Sequence, residues 1–216
     1  MALQAQPDVL SLIGNTPLVA ASGFDTGPCE LFLKLENQNP SGSIKDRVGL
    51  FMIEAAEREG RLKPGATLIE ATAGNTGLGL ALVAARKGYR LLLVIPDKMS
   101  QEKIFHLKAM GAEVVMTRSD VVKGHPDYYQ DKAARIARET PDAFYINQFT
   151  NPANLKRMRR PRRRRSGTDA ASAGCHRLWR RNRWHTDGDV AVLRAHGTPR
   201  CRSYWPTRRA PCSPTT

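Results

Sequence analysis

Two rhythms of apolar and polar positions run through the first 154 residues. Between Glu30 and Glu36 the leucines at 31, 33 and 35 recur at every second position, the spacing of a strand with one buried face. From Ile44 the period changes. Ile44, Val48, Phe51, Met52, Ala55 and Ala56 fall at i, i+4, i+7, i+8, i+11 and i+12, which predicts an amphipathic helix. Ser43, followed three residues later by Asp46, predicts a capping box at its start, and Gly60 predicts its end. Further on, the pattern predicts strands over 67–71, 90–95, 113–116 and 143–146, and helices over 76–87, 100–110 and 127–139. Gly88, Pro96 and Gly111 punctuate these segments, and the run from Leu12 to Val19 reads as a turn leading into a short extended piece. Strands alternating with helices of roughly ten to fifteen residues predict βαβ units, hence an α/β fold around a mostly parallel sheet.

Charge redraws the picture at one place. Of 216 residues, the first 154 hold 17 Lys+Arg and 17 Asp+Glu, whereas the last 62 hold 17 Lys+Arg and 3 Asp, so the whole net charge of +14 lies in the tail. Two compositions meet near Asn154. The first is long enough for a sizeable core. The cysteines at 29, 175, 201 and 212 form no C-x-x-C pair, which predicts neither a zinc site nor a disulfide framework. With no basic-then-apolar leader visible and apolar runs only as long as strands, the expectation is a cytoplasmic protein that does not span a membrane.

Two stretches carry candidate chemistry. Asn39-Pro40-Ser41-Gly42-Ser43-Ile44-Lys45-Asp46-Arg47 is a turn-forming run that delivers one lysine to the first turn of a helix. The positive end of the helix dipole and partial burial both disfavour the ammonium form, which would leave Lys45 a nucleophilic amine. An ordinary solvated lysine of an amphipathic helix fits that stretch taken alone. Glu70-Ala71-Thr72-Ala73-Gly74-Asn75-Thr76-Gly77 follows a strand and opens a helix, the place where α/β sheets bind ligands. Its small residues let main-chain N–H groups approach a ligand, and the helix start favours an anion. It is neither a Walker loop, since no G-K-[ST] follows, nor a dinucleotide fingerprint. His125 and the Tyr128-Tyr129 pair read as a surface loop entering a helix and are given no role.

Taken together, the motifs are far more specific. G-N-T-P-L at 14–18, K-L-E-N-Q-N-P-S-G-S-I-K-D-R at 34–47, E-A-T-A-G-N-T-G at 70–77 and P-D-K-M-S-Q-E-K at 96–103 occur in this order. The chain resembles the cysteine synthase/cystathionine β-synthase family of pyridoxal-phosphate enzymes, the fold-type II or tryptophan synthase β-like group, over about residues 10–154. The resemblance implies parallel sheets flanked by helices, with the second domain incomplete in this chain. It implies that Lys45 carries pyridoxal 5'-phosphate as a Schiff base and later serves as general base, and that Asn75 hydrogen-bonds the ring hydroxyl. It also implies that Thr72, Ala73, Gly74 and Thr76 cradle the substrate carboxylate, with Gln148 as a second contact. The implied reaction is β-replacement on an amino acid. Cysteine synthase (O-acetylserine and sulfide giving cysteine and acetate) is the first expectation, and cystathionine β-synthase (serine and homocysteine) is the alternative. Threonine dehydratase and threonine synthase fit the motifs less well. The expected partners are a small amino acid, a sulfur nucleophile and, in the intact family, a second copy of the chain; no metal, membrane or nucleic acid is expected.

The tail departs from the family. It begins Leu155-Lys156-Arg157-Met158-Arg159-Arg160-Pro161-Arg162-Arg163-Arg164-Arg165, and no apolar periodicity of useful length follows. The expected organisation is residues 1–38 with the large domain, 39–154 as the cofactor- and substrate-binding domain, and 155–216 as an arginine-rich tail. Read with shifted codons, residues 154–167, 179–193 and 204–212 permit strings like the family's continuation, among them its glycine-rich phosphate loop. The expectation is therefore an out-of-frame or disordered tail and a chain truncated and inactive as written. The competing class is a nucleic-acid binder using Arg157 to Arg165, whose grip would be steeply salt-dependent.

Overall fold

The computed structural model describes residues 8–23, 29–72, 74–154, 175–176 and 190–195. After a 3-10 turn at Val9–Leu12 come strands β1 (Leu18–Ala20) and β2 (Cys29–Lys34), a second 3-10 turn at Glu36–Gln38, and helix α1 (Lys45–Arg58). Then follow β3 (Thr67–Ala71), α2 (Asn75–Lys87), β4 (Arg90–Pro96), α3 (Gln101–Ala109), β5 (Glu113–Thr117), α4 (Tyr129–Glu139) and β6 (Ala143–Tyr145). The tail contributes β7 (Cys175–His176) and β8 (Val190–Ala195). The described residues divide into two compact units: one holds 8–17 and 36–154, the other 18–23, 29–35 and the described parts of the tail.

The first unit is built on a four-stranded sheet in the order β5-β4-β3-β6, all parallel. A parallel strand is covered on both faces, which is why β3 and β4 read as near-continuous apolar runs rather than alternating ones. Every residue of β3 is buried. On one side Leu68, Leu91, Leu93 and Ile95 pack with Val48, Met52 and Ile53 of α1, Leu80 and Val83 of α2, and Leu107 of α3. In a second cluster Ile69, Ala71 and Val94 pack with Ala133, Tyr129 and Ile136 of α4.

Helices α1 and α2 touch backbone to backbone. A methyl group placed on Gly79 would come 2.6 Å from the carbonyl oxygen of Lys45, and one on Gly49 would come 2.9 Å from the carbonyl of Gly79. The glycines are therefore what lets the first turn of α1 lie against α2. Helix α1 ends as its sequence predicts. Gly60 takes a φ of 67°, its N–H donates to Glu57 O at 3.0 Å and that of Arg61 donates to Ala56 O at 2.9 Å, which is a Schellman cap.

Two boundaries differ from expectation for identifiable reasons. Helix α4 starts at Tyr129 rather than Asp127, because the N–H of Asp127 donates to His125 Nδ1 at 3.1 Å and its carbonyl accepts the Thr117 hydroxyl. Strand β6 stops at Tyr145, although Ile146 still donates its N–H to Ile69 O at 3.0 Å.

The second unit is an antiparallel sheet in the order β1-β2-β8-β7. Leu18 stands opposite Lys34, Cys29 opposite Ala195, and Lys34 opposite Val190. Within 155–216 the structure describes β8, which pairs with β2 over six residues. Its run Val-Ala-Val-Leu is too short to show a period, and main-chain pairing leaves no periodic trace. The rest of the tail, including Arg157 to Arg165, lies outside the described residues. Among the described residues no helix is long and apolar enough to cross a membrane.

Candidate functional site

Lys45 is the first residue of α1 and only 8% exposed. The turn that delivers it closes with Gly42 N–H donating to Asn39 O at 2.8 Å, and Gly42 takes a φ of 83° that a larger residue would adopt only with strain. The two residues that follow Lys45 in sequence are both anchored. The carboxylate of Asp46 accepts the main-chain N–H of Ser41 at 2.7 Å and also the Ser41 hydroxyl. Burial holds that carboxyl above the ordinary aspartate range in spite of the bonds from Ser41. This corrects the capping-box expectation. Asp46 reaches back five residues to Ser41, while Ser43 Oγ accepts the N–H of Lys45 at 3.2 Å.

Arg47 makes a two-pronged pair with Glu36, Nε to Oε2 at 2.7 Å and the terminal nitrogen to Oε1 at 3.0 Å. Thr16 donates its hydroxyl to the same Oε1 at 2.9 Å. Asn39 donates to Glu36 Oε2 at 3.0 Å and accepts the N–H of Gly14 at 2.8 Å. Burial pushes Glu36 up, but the hydrogen bond and charge of Arg47, helped by Asn39 and Thr16, outweigh it and hold the carboxyl below its ordinary range. Residues 14–16 and 36–47 of these motifs are thus one hydrogen-bonded body around the start of α1.

The second stretch turns from β3 into α2. Thr72 is buried, donates its N–H to Val94 O at 3.2 Å, and accepts the N–H of Gly74 on its hydroxyl at 3.3 Å. Gly74 is the extended residue before α2, and a Cβ there would meet nothing within 4 Å among the described residues, so this backbone faces open space among them. Asn75, half-buried, and Thr76, 3% exposed, open the helix. Their N–H groups belong to the first turn, which has no i−4 partners. Ala73 lies outside the described residues.

The two parts of the expected carboxylate cradle meet directly. Thr76 donates its hydroxyl to Gln148 Oε1 at 2.8 Å across 72 positions of sequence. Gln148, 5% exposed, in turn donates its N–H to Glu70 Oε2 at 3.1 Å and accepts Asn154 Nδ2 on its carbonyl at 2.8 Å. Lys45 is tied to this region through its carbonyl, which lies against Gly79, three residues into α2 from Thr76.

Sequence reasoning assigned no role to Glu70 or Asn154. Glu70 carried a legible signal: it is a carboxylate inside a strand that otherwise reads as buried, and it is 0% exposed. Burial pushes its carboxyl up to about 8 against the hydrogen bonds it receives. Asn154 carried none, because an asparagine near a change of composition has no period to betray its burial. A separate groove of about 260 Å³, lined by Asp97, Met116, Thr117, Arg118, Asp127 and Lys132, holds none of the expected site residues. Among the described residues no cluster of His, Cys, Asp and Glu could hold a metal.

Comparison with known proteins gives the chain's relatives. The sequence profile of the family described as pyridoxal-phosphate dependent enzyme matches residues 9–160. Cystathionine beta-synthase of Mus musculus is 48% identical over 151 residues, covering 68% of this chain and 27% of that protein. Cysteine synthase of a Flavobacterium species is 49% identical over 150 residues, covering 69% of this chain and 48% of that protein. The crystal structure of a hydrogen sulfide-producing enzyme from Fusobacterium nucleatum superposes with a TM-score of 0.64 at 43% identity, covering 71% of this chain and 49% of that one. The chain therefore spans about half, or less, of the length of these relatives.

Proposed function

This chain belongs to the pyridoxal-phosphate dependent enzyme family, and from that membership we propose that residues 14–154 form the amino-acid-binding part of a β-replacement site, with cysteine synthesis from O-acetylserine and sulfide as its reaction. Three observations fit the cofactor. A buried lysine opens α1, the backbone at Gly74 borders open space among the described residues, and the first turn of α2 offers main-chain donors beside Asn75. Lys45 would hold the cofactor through its Nζ, and Asn75 would hydrogen-bond the ring hydroxyl. When bound, the cofactor supplies a conjugated pyridinium that withdraws electrons from the substrate's α-carbon.

The chain's own residues do the rest. Thr72, Ala73, Gly74 and Thr76 would grip the substrate's α-carboxylate with main-chain N–H groups and the Thr72 hydroxyl, while the Thr76 hydroxyl holds Gln148, which closes the grip. Holding that carboxylate fixes the Cα–H bond relative to the lysine, which is worth more than binding alone because it orients the reacting bond. Lys45 Nζ, as a free amine beside the substrate, would take the α-proton as general base. Acetate leaves the β-carbon with the bonding electrons, hydrosulfide adds there, and Lys45 returns the proton to Cα. The rigid seating of α1 by Glu36, Arg47 and Asp46 keeps that amine in place through both proton transfers.

The observation that carries this reading is the Thr76–Gln148 hydrogen bond, which unites residues expected from separate motifs to hold one carboxylate. Its test is Thr76→Ala in the cofactor-loaded chain. We expect capture of L-alanine, an amino acid without a β-leaving group, to weaken about tenfold, roughly 1.4 kcal/mol, as Gln148 loses its hydroxyl partner. Unchanged capture across the concentration range contradicts the cradle. Turnover of O-acetylserine with sulfide, set against serine with homocysteine, then decides the substrate pair.

A further inference from the structure

Glu70 stands out within the first unit. It is fully buried in β3, in a strand whose other buried side chains are Thr67, Leu68, Ile69 and Ala71. A carboxyl in such a place is costly, and an apolar residue of the same length would pack without that cost. Apart from the N–H of Ala71 in its own strand, its polar contacts fall on one segment. Oε2 accepts the N–H of Gln148 at 3.1 Å, the Gln148 side-chain amide and the N–H of Asn147 also act on the carboxyl, and Oε1 makes no hydrogen bond among the described residues. Gln148 is then fixed from three sides, by Glu70 at its N–H, by Asn154 at its carbonyl and by Thr76 at its side-chain oxygen. With the amide oxygen aimed at Thr76, the NH2 end is the one turned toward a carboxyl acceptor, so Glu70 selects which way the amide points.

We propose that Glu70 is a positioning residue that acts through Gln148, setting the main-chain seat and amide orientation with which Gln148 meets Thr76 and thereby the grip on the substrate's α-carboxylate. This rests on the reading of Thr76 and Gln148 as carboxylate contacts. The other titratable groups facing Glu70 are Tyr129 of α4 and Tyr145 of β6. Burial first, and the neighbouring charge of Glu70 among the further causes, push both phenols up. Both stay neutral over the range in which the site would work. Glu70 is thus the one acid of this group whose form can change, and either form keeps an oxygen that accepts the Gln148 N–H.

The test uses the full chain loaded with pyridoxal phosphate, L-alanine as probe, and the variants Glu70→Gln, Glu70→Met and Gln148→Ala. Glu70→Met keeps length and removes the acceptor, so L-alanine should bind about tenfold more weakly, whereas Glu70→Gln should stay within about twofold of the parent. In the Gln148→Ala background Glu70→Met should add nothing, the non-additivity expected when one residue acts through another. The proton pair of the Gln148 side-chain amide, well separated in the parent and in Glu70→Gln, should collapse toward free-amide positions in Glu70→Met. Undiminished binding in Glu70→Met, or a full further loss on top of Gln148→Ala, overturns the proposal. If Glu70→Met does not fold, Glu70→Leu takes its place. If the parent chain does not take up L-alanine, the carboxylate reading fails. The amide spectrum then decides the proposal alone: an unchanged Gln148 signal in Glu70→Met overturns it, and collapse with rescue by Gln supports it.

Discussion

At Glu70 a single side chain sets a pH dependence of the whole fold. Its folded carboxyl is raised to about 8 from an ordinary 4.5 by burial. Between those values the native chain holds a proton that the unfolded chain has lost, so stability falls as pH rises through that window. Below about 4.5 both states are protonated and the effect is absent. Glu70→Gln cannot lose a proton, so its unfolding midpoint in urea should be flatter than the parent's between pH 5 and pH 8. Parallel curves for the two proteins contradict the assignment. Glu36 is the counter-example at the same scale. It is also buried, but the guanidinium of Arg47 lies 2.7 Å away and the net shift is downward. A charged partner decides which way burial is answered.

Among the elements, the contact of α1 with α2 matters most for the site. Each helix gives up a side chain, Gly49 on one and Gly79 on the other, so that the carbonyl of Lys45 lies against Gly79. Gly79→Ala should therefore cost about 1–3 kcal/mol in urea unfolding, the usual toll of overpacking. It should also slow attachment of the cofactor to the lysine, because the first turn of α1 has to move. Normal stability with normal attachment contradicts this close contact. The elements themselves were largely legible from period and punctuation. The four parallel strands and α1 to α4 lie where the apolar rhythm puts them, since each is buried on a face wide enough to leave a period. What escaped had contacts without a period. Asp46 capping Ser41, the turn before α4, and β8 all depend on main-chain partners that no side-chain pattern announces.

Across the whole molecule, the described residues hold a lysine, a helix start and the residues proposed to grip a carboxylate, but they belong to a chain about half the length of its relatives or less. The resemblance implies a glycine-rich phosphate loop, which the sequence as written is expected to lack. Several charge-assisted main-chain bonds to the cofactor phosphate, each worth roughly 1.5–3 kcal/mol, are then missing. We propose that the lysine still reacts with the cofactor's aldehyde but that the chain holds the cofactor weakly. The site was legible in proportion to how local it is. Lys45 and the 70–77 turn were visible as short motifs, and Gln148 came from the family resemblance. The links that join them, Glu70 to Gln148 and Gly79 to Lys45, span 78 and 34 positions and exist only in the folded chain.

The central claim is that Lys45 is the residue that holds the cofactor. Borohydride reduction of the full chain after equilibration with pyridoxal phosphate, followed by peptide mass spectrometry, tests it most directly. One dominant pyridoxyl adduct is expected, on the peptide containing Lys45 and lost in Lys45→Ala. Adducts spread over exposed lysines such as Lys98, Lys108 and Lys123, with Lys45 unmodified, would contradict it.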